Sequence, residues 1–296
     1  MDDHSDDILF ITFAPLTGRI FIMFFQSLLF LQLFLPVTLF FYYISRENYR
    51  RPILLVASLI FVAWFNVSLT VVIIGSILFN YFAGIAIGNT TNERKRTAFF
   101  SVALVINLAM LFVFKYFGFL GENVSELMSI LGIKPFIITH FALPVGISFY
   151  TFKAISYLIS VKRLETPPQK SLVNLALYIS LFPQLVAGPI DRYKSLAPQL
   201  STPSPSIDLF SSGVSLFVKG LAKKVLIAST FAIQADAIFN APVDQLNSPL
   251  AWLGAVFYTL QIYYDFSGYT DMAIGIGKML GLQFAINFNL PYTART

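Results

Sequence analysis

The sequence predicts an all-α, polytopic membrane protein with kinked and re-entrant helices, and three observations carry that expectation. Hydrophobic residues make up 56% of the 296 residues and charged residues only 12%, about half the charged share of an ordinary soluble domain, and the mean hydropathy is +0.72. The apolar residues gather in runs close to the ~20 residues that cross a bilayer as a helix. The basic residues sit in short loops between those runs, concentrated in alternate loops. The net charge of +5 therefore reads as a topology signal and not as a nucleic-acid surface. The absence of cysteine excludes disulfides, thiolate metal sites and cysteine nucleophiles. No bound metal or cofactor is expected.

The first residues, "MDDHSDDILF", are acidic and do not open a secretory signal. Met23 heads the run "MFFQSLLFLQLFLPVTLFFYY". Residues 1–22 read either as an extension from a misplaced start or as a short extracytoplasmic tail, and 23–296 as the membrane domain. Spans are expected near 26–44, 53–65 running close to 67–88, 97–117, 137–161, 171–188, 210–232 and 250–272. Pro36 and Pro144 lie inside apolar runs and are expected to kink or break them. The stretch "FNVS" after Trp64 leaves room only for a tight turn.

Orientation follows from the loops. Arg46, Arg50 and Arg51, then Arg94, Lys95 and Arg96, then Lys162, Arg163 and Lys170 mark alternate connections. The connections between them, 65–68 and 118–136, share a single basic residue, Lys134. The basic loops are expected in the cytoplasm and the N-terminus outside. Beyond residue 170 the regularity fails. "SLVNLALYISLFPQLVAGPIDRYKSLAPQL" starts as an apolar helix, is interrupted by Pro183, Gly188 and Pro189, and then meets Asp191, Arg192 and Lys194. Backbone broken at membrane depth is buried in protein or lines a wet cavity, so a re-entrant segment is expected here. "STPSPSIDLF" is a Ser/Pro loop. No internal repeat is visible, which counts against an inverted-repeat transporter.

The last span runs straight into "YYDFSGYTDMAIGIG", residues 263–277. A charge in hydrocarbon costs about 2.5–3.5 kcal/mol on insertion scales, so Asp265 and Asp271 need compensation. Gln261, Asp265, Gly268, Asp271 and Gly275 form a helical stripe about 120° wide. Three readings stay open: an inward packing face where glycines admit a neighbouring helix, the wall of a polar cavity, or a partly hydrated interfacial segment. "GIGKMLG" matches a dinucleotide fingerprint only loosely and follows no strand, so it is set aside. His4 lies in the acidic tail and His140 at the outer end of a span. No complete acid–base or nucleophile set is visible.

Four segments, "LPVGISFYTFKAISYLISVKR", "LFPQLVAGPIDRYKSLAPQL", "GLAKKVLIA" and "YTLQIYYDFSGYTDMAIGIGKMLGLQFAINFNLPYTA", together resemble the membrane-bound O-acyltransferases. The nearest branch is the bacterial polysaccharide acetylases of the alginate O-acetylase type. The similarity runs in order from Met23 to the last residue. It implies helices around a central cavity, and O-acetylation of an exported polysaccharide such as alginate. It also implies an acyl donor (acetyl-CoA or another acyl carrier) as substrate, and a multi-pass place in the bacterial inner membrane. The implied partners are the bilayer, extracytoplasmic acetyltransferases and polysaccharide export proteins, with no nucleic acid.

In that family an essential histidine lies in a Trp-rich segment after the "NFN-PY" stretch. The chain ends at "NLPYTART", short of the position expected for it, so no catalytic residue is carried over and the chain alone is expected not to transfer acetyl groups. The motif positions that carry over are Gln184, Gly188, Pro189 and Arg192, then Asp265, Ser267, Gly268, Tyr269 and Asp271, then Asn287, Asn289, Pro291 and Tyr292. With Gln261 they are the candidate cavity or substrate-route residues. A glycan or ion transporter, argued from the intramembrane acids and broken helices, and a non-catalytic membrane scaffold are the alternatives.

Overall fold

The computed structural model describes residues 23–132, 143–289 and 291–293, and every regular element among them is helical. A π turn, Phe30–Phe34, opens into α1 (Leu35–Ile44), followed by α2 (Glu47–Phe65), α3 (Val67–Gly88) and α4 (Glu93–Ile130). The middle of the chain is α5 (Ile147–Lys162), α6 (Leu172–Ser180), the single turn α7 (Phe182–Leu185) and α8 (Tyr193–Ser201). A continuous rod then combines α9 (Ile207–Ala222), a second π turn (Lys223–Ala228) and α10 (Ser229–Phe239), and it packs along the 32-residue α11 (Ser248–Met279).

Thr70–Gly88 within α3 and the whole of α4 are long and apolar enough to cross a membrane. Two buried amides join them. Asn80 Nδ2 donates to Asn107 Oδ1 at 3.1 Å, and Asn107 Nδ2 donates back to Asn80 Oδ1 at 3.0 Å. Reciprocal side-chain bonds of this kind hold apolar helices together where the hydrophobic effect gives them no reason to associate. The Asn92 side chain caps α4 by accepting from the N–H groups of Arg94 and Lys95.

Several sequence expectations are corrected. Pro36 does not break its run: it falls in the first turn of α1, directly after the wider π turn. The connection expected at 118–136 is helical as far as Ile130, because no proline interrupts α4. The span expected at 210–232 extends to Phe239 through the π turn, and that at 250–272 runs on to Met279. The segment expected at 171–188 is two helices with a hinge at Leu181. Pro144 precedes α5 and accepts from Ile147 N–H at 3.1 Å. His140 and residues 1–22, His4 among them, lie outside the described residues, as do residues 294–296.

The hinge at Leu181 is buried on every side. Phe182 N–H donates to Ser58 Oγ of α2 at 3.1 Å, and the Phe182 ring meets Phe34 edge-on at 5.3 Å. Backbone freed by the broken helix is thus satisfied by protein, as an apolar interior requires.

Candidate functional site

Two polar clusters lie inside this helical frame. The first joins α11 to α9 and the π turn after it. A Cβ added to Gly268 would lie 2.6 Å from the carbonyl oxygen of Gly220, and one added to Gly220 would lie 2.5 Å from the carbonyl oxygen of Gly268. Gly275 and Gly213 repeat the arrangement at 2.7 and 2.6 Å. The two helices therefore touch backbone to backbone at two points, which only glycine permits. Charged pairs bracket the Gly268 contact. Lys223 Nζ lies 2.6 Å from Asp271 Oδ2 and donates to Ser267 Oγ at 3.2 Å, and Lys224 pairs with Asp265. Lys224 is 1% exposed, but Asp265 is 27%, Asp271 20% and Lys223 34% exposed.

The stripe read from the sequence is therefore split in use. Gly268 and Gly275 make the helix contact, and Asp265 and Asp271 are neutralised by lysines from a neighbouring element. Gln261 and Tyr269 are buried, and among the described residues neither Gln261 Oε1 nor the Tyr269 hydroxyl has a hydrogen-bond partner. The Tyr269 ring stacks on Phe25 with centroids 4.6 Å apart.

The second cluster lies deeper. Lys153 of α5 is 1% exposed and its ammonium donates to Gln184 Oε1 of α7 at 2.8 Å. Gln184 Nε2 donates to Asp191 Oδ2 at 2.6 Å, and Ala285 N–H donates to Asp191 Oδ1 at 3.0 Å. The Tyr178 hydroxyl donates to the Asp191 carbonyl at 3.0 Å, and its ring receives the Lys153 ammonium 5.0 Å from the centroid. Burial pushes the Asp191 carboxyl above the usual carboxylate range, opposed by the bonds from Ala285 and Gln184 and by the Lys153 charge.

Of the sequence-selected residues, Gln184 enters this relay. Arg192 beside it is exposed, as are Asn287 and Asn289. Phe288, between the two asparagines, packs edge-on against Tyr263 and Phe266 of α11 at 5.8 and 5.2 Å. Lys153, Asp191, Lys223 and Lys224 were not selected. Their signal in the sequence was a charge set inside or beside an apolar run, the same signal that picked out Asp265 and Asp271.

Two helices of membrane-spanning length and apolarity, a buried charge relay and glycine-lined helix contacts suit a helical membrane protein. The relatives give the class. A probable alginate O-acetylase of Pseudomonas aeruginosa is 44% identical over 279 residues, 93% of this chain and 52% of that protein. The peptidoglycan O-acetyltransferase of Helicobacter pylori is 33% identical over 308 residues, 93% of this chain and 58% of the relative. The teichoic acid D-alanyltransferase of Bacillus subtilis is 30% identical over 155 residues, 51% of this chain and 39% of the relative. No protein-family model matches the chain. These matches fit the membrane-bound O-acyltransferase family, with relatives at 40–44% identity named alginate O-acetylase. It spans about half the length of the curated relatives it matches.

Proposed function

We propose that this chain forms part of a polytopic inner-membrane O-acyltransferase that acetylates an exported polysaccharide, alginate being the polymer named for its 40–44% identical relatives. That identity, sustained over 93% of the chain, is the observation that carries the reading. The acyl donor is acetyl-CoA or another acyl carrier, and the partners are extracytoplasmic acetyltransferases and export proteins. The helices surround a central cavity, with the clustered arginines and lysines of 46–51, 94–96 and 162–170 on the cytoplasmic side and the N-terminus outside.

Gln261 and Tyr269 are proposed to face the substrate route. A buried acceptor and a buried hydroxyl without partners among the described residues suit contact with a polar ligand or water. Asp265 and Asp271, each held by a lysine, shape the α11 wall and are not proposed as proton acceptors. The general base that acyl transfer to a sugar hydroxyl calls for is not assigned to a described residue.

The test is acetylation of the exported glycan in a strain lacking its own acetylase, with this chain joined to the remaining half of a close relative. Acetylation above background is expected, falling at least roughly tenfold for Tyr269→Phe at equal expression if the hydroxyl serves the route. Polymer export without acetylation would reject the reading. Cysteines introduced singly at 93 and 165 test the topology, since the chain has none of its own. Both are expected to resist an impermeant thiol reagent in intact cells, and labelling of either would overturn the orientation.

A further inference from the structure

We propose that Asp191 is a positioning residue: it sets the register of the chain leaving α11 and thereby places Asn287 and Asn289, an inference that takes its importance from the acyl-transfer reading. The α11 helix ends at Gly281, whose φ of +77° is open to glycine at little cost. Gly281 N–H donates to the Lys278 carbonyl at 3.0 Å and Leu282 N–H to the Gly277 carbonyl at 2.8 Å, the paired bonds that stop a helix cleanly. From there residues 282–286 run on without regular structure of their own, and side chains take up their backbone groups. Gln199 of α8 accepts from Gln283 N–H at 2.7 Å and donates to the Gln283 carbonyl at 3.2 Å. Asp191 accepts from Ala285 N–H. Phe284, between these two pins, is buried against Gly277. The strap is thus held at 283 and 285 from one side and at 284 from the other. Both pins come from the segment around the broken helix.

The direction of the bonds in the relay makes the carboxylate necessary. Lys153 offers donors only, so Gln184 turns its oxygen to Lys153 and its nitrogen onward. Ala285 N–H is also a donor. The group between Gln184 Nε2 and Ala285 N–H must therefore accept twice, once on each oxygen, which Asp191 does. An asparagine there accepts on one side and meets Gln184 donor to donor on the other. It also leaves the Lys153 charge buried and unanswered. Replacing Lys153 with methionine at the same time removes both faults: Gln184 is free to turn over and accept from the asparagine, whose oxygen remains for Ala285 N–H.

The experiment is hydrogen exchange of the full chain in lipid nanodiscs, read on the peptide covering 281–289. Asp191→Asn is expected to speed exchange of the strap roughly tenfold or more, while Lys153→Met/Asp191→Asn returns it to within about threefold of the parent. Lys153→Met/Asp191→Ala has the same charge as that double variant but no acceptor for Ala285, and is expected to stay fast. The two double variants decide the matter even where Asp191→Asn alone fails to fold. Unchanged exchange in Asp191→Asn, or equal exchange in the two double variants, overturns the proposal. Exchange is read without acetyl transfer, so a protected strap in a chain that yields no acetylation, joined or alone, would sink the functional reading and leave the positioning role standing.

Discussion

The α9–α11 contact and the Lys153–Gln184–Asp191 relay each bring cations and carboxylates together inside an apolar chain, yet they solve different problems. At the α9–α11 contact the close approach is made by backbone, glycine against glycine, and the charges stand at its margins with three of the four side chains 20–34% exposed. In the relay the charges are the interior: Lys153, Gln184 and Asp191 are at most 6% exposed and each oxygen and nitrogen has an assigned partner. Charges at the edge of a contact neutralise one another and leave the geometry to the glycines. Charges within the core dictate the geometry, because every unmet bond there is costly.

The comparison makes an ordered set of expectations. Asp191→Asn or Lys153→Met alone is expected to cost about 3–5 kcal/mol of stability, since each strands a buried charge, with the double variant costing well below the sum. Thermal unfolding in detergent checks this, and additive losses would show that the two ends of the relay are not coupled. Next in size come Gly268→Ala and Gly275→Ala, each expected to cost about 1–3 kcal/mol because the added methyl meets a carbonyl oxygen of α9 that can retreat only if the helices part. Lys224→Met follows at about 1–2 kcal/mol: the lysine is buried, but the Asp265 it leaves behind reaches solvent. Lys223→Gln and Asp271→Asn, in the most exposed pair, are expected to cost less than about 1 kcal/mol. A Lys223 variant that loses more than a Lys153 variant would invert the distinction between edge and core.

Much of the helical layout was legible because its causes are local. Apolar runs, the Asn66 break between α2 and α3, and Pro183 with Gly188 beyond the α6 hinge all act within a few residues of where they stand. The π turns were not legible. Pro36 signals a disturbance, but whether the helix breaks or widens depends on what packs around it, here Phe30 and Phe34 in a cluster with Phe61 and Phe182. The site divided along the same line. Periodicity set Gln261, Gly268 and Gly275 on one stripe of α11, but it could not say that the partners of Asp265 and Asp271 stand 41 and 48 residues earlier. Asp191 was in view only as part of a charged end to an apolar run. Its partners Gln184 and Ala285 lie 7 and 94 residues away, and no window along the sequence contains the second.

The π turn Lys223–Ala228 also makes the rod that contains it sensitive in an unusual way to loss of the turn's extra width. Before the turn, Gly213 and Gly220 face α11; after it, Ala228, Ala232, Ala235 and Ile238 form the buried face, with Ile238 resting over Gly254 of α11. The two halves share a partner only because one surplus residue rephases the second half. Were the turn to relax to ordinary α geometry with all its residues kept, the rod beyond it would be turned by about 100° and lengthened by about 1.5 Å. Every hydrogen bond along the rod would still be made, and its helical content would be unchanged by circular dichroism. The alanine face would nevertheless point away from α11, so the lesion would be one of phase, visible only in what the second half of the rod touches.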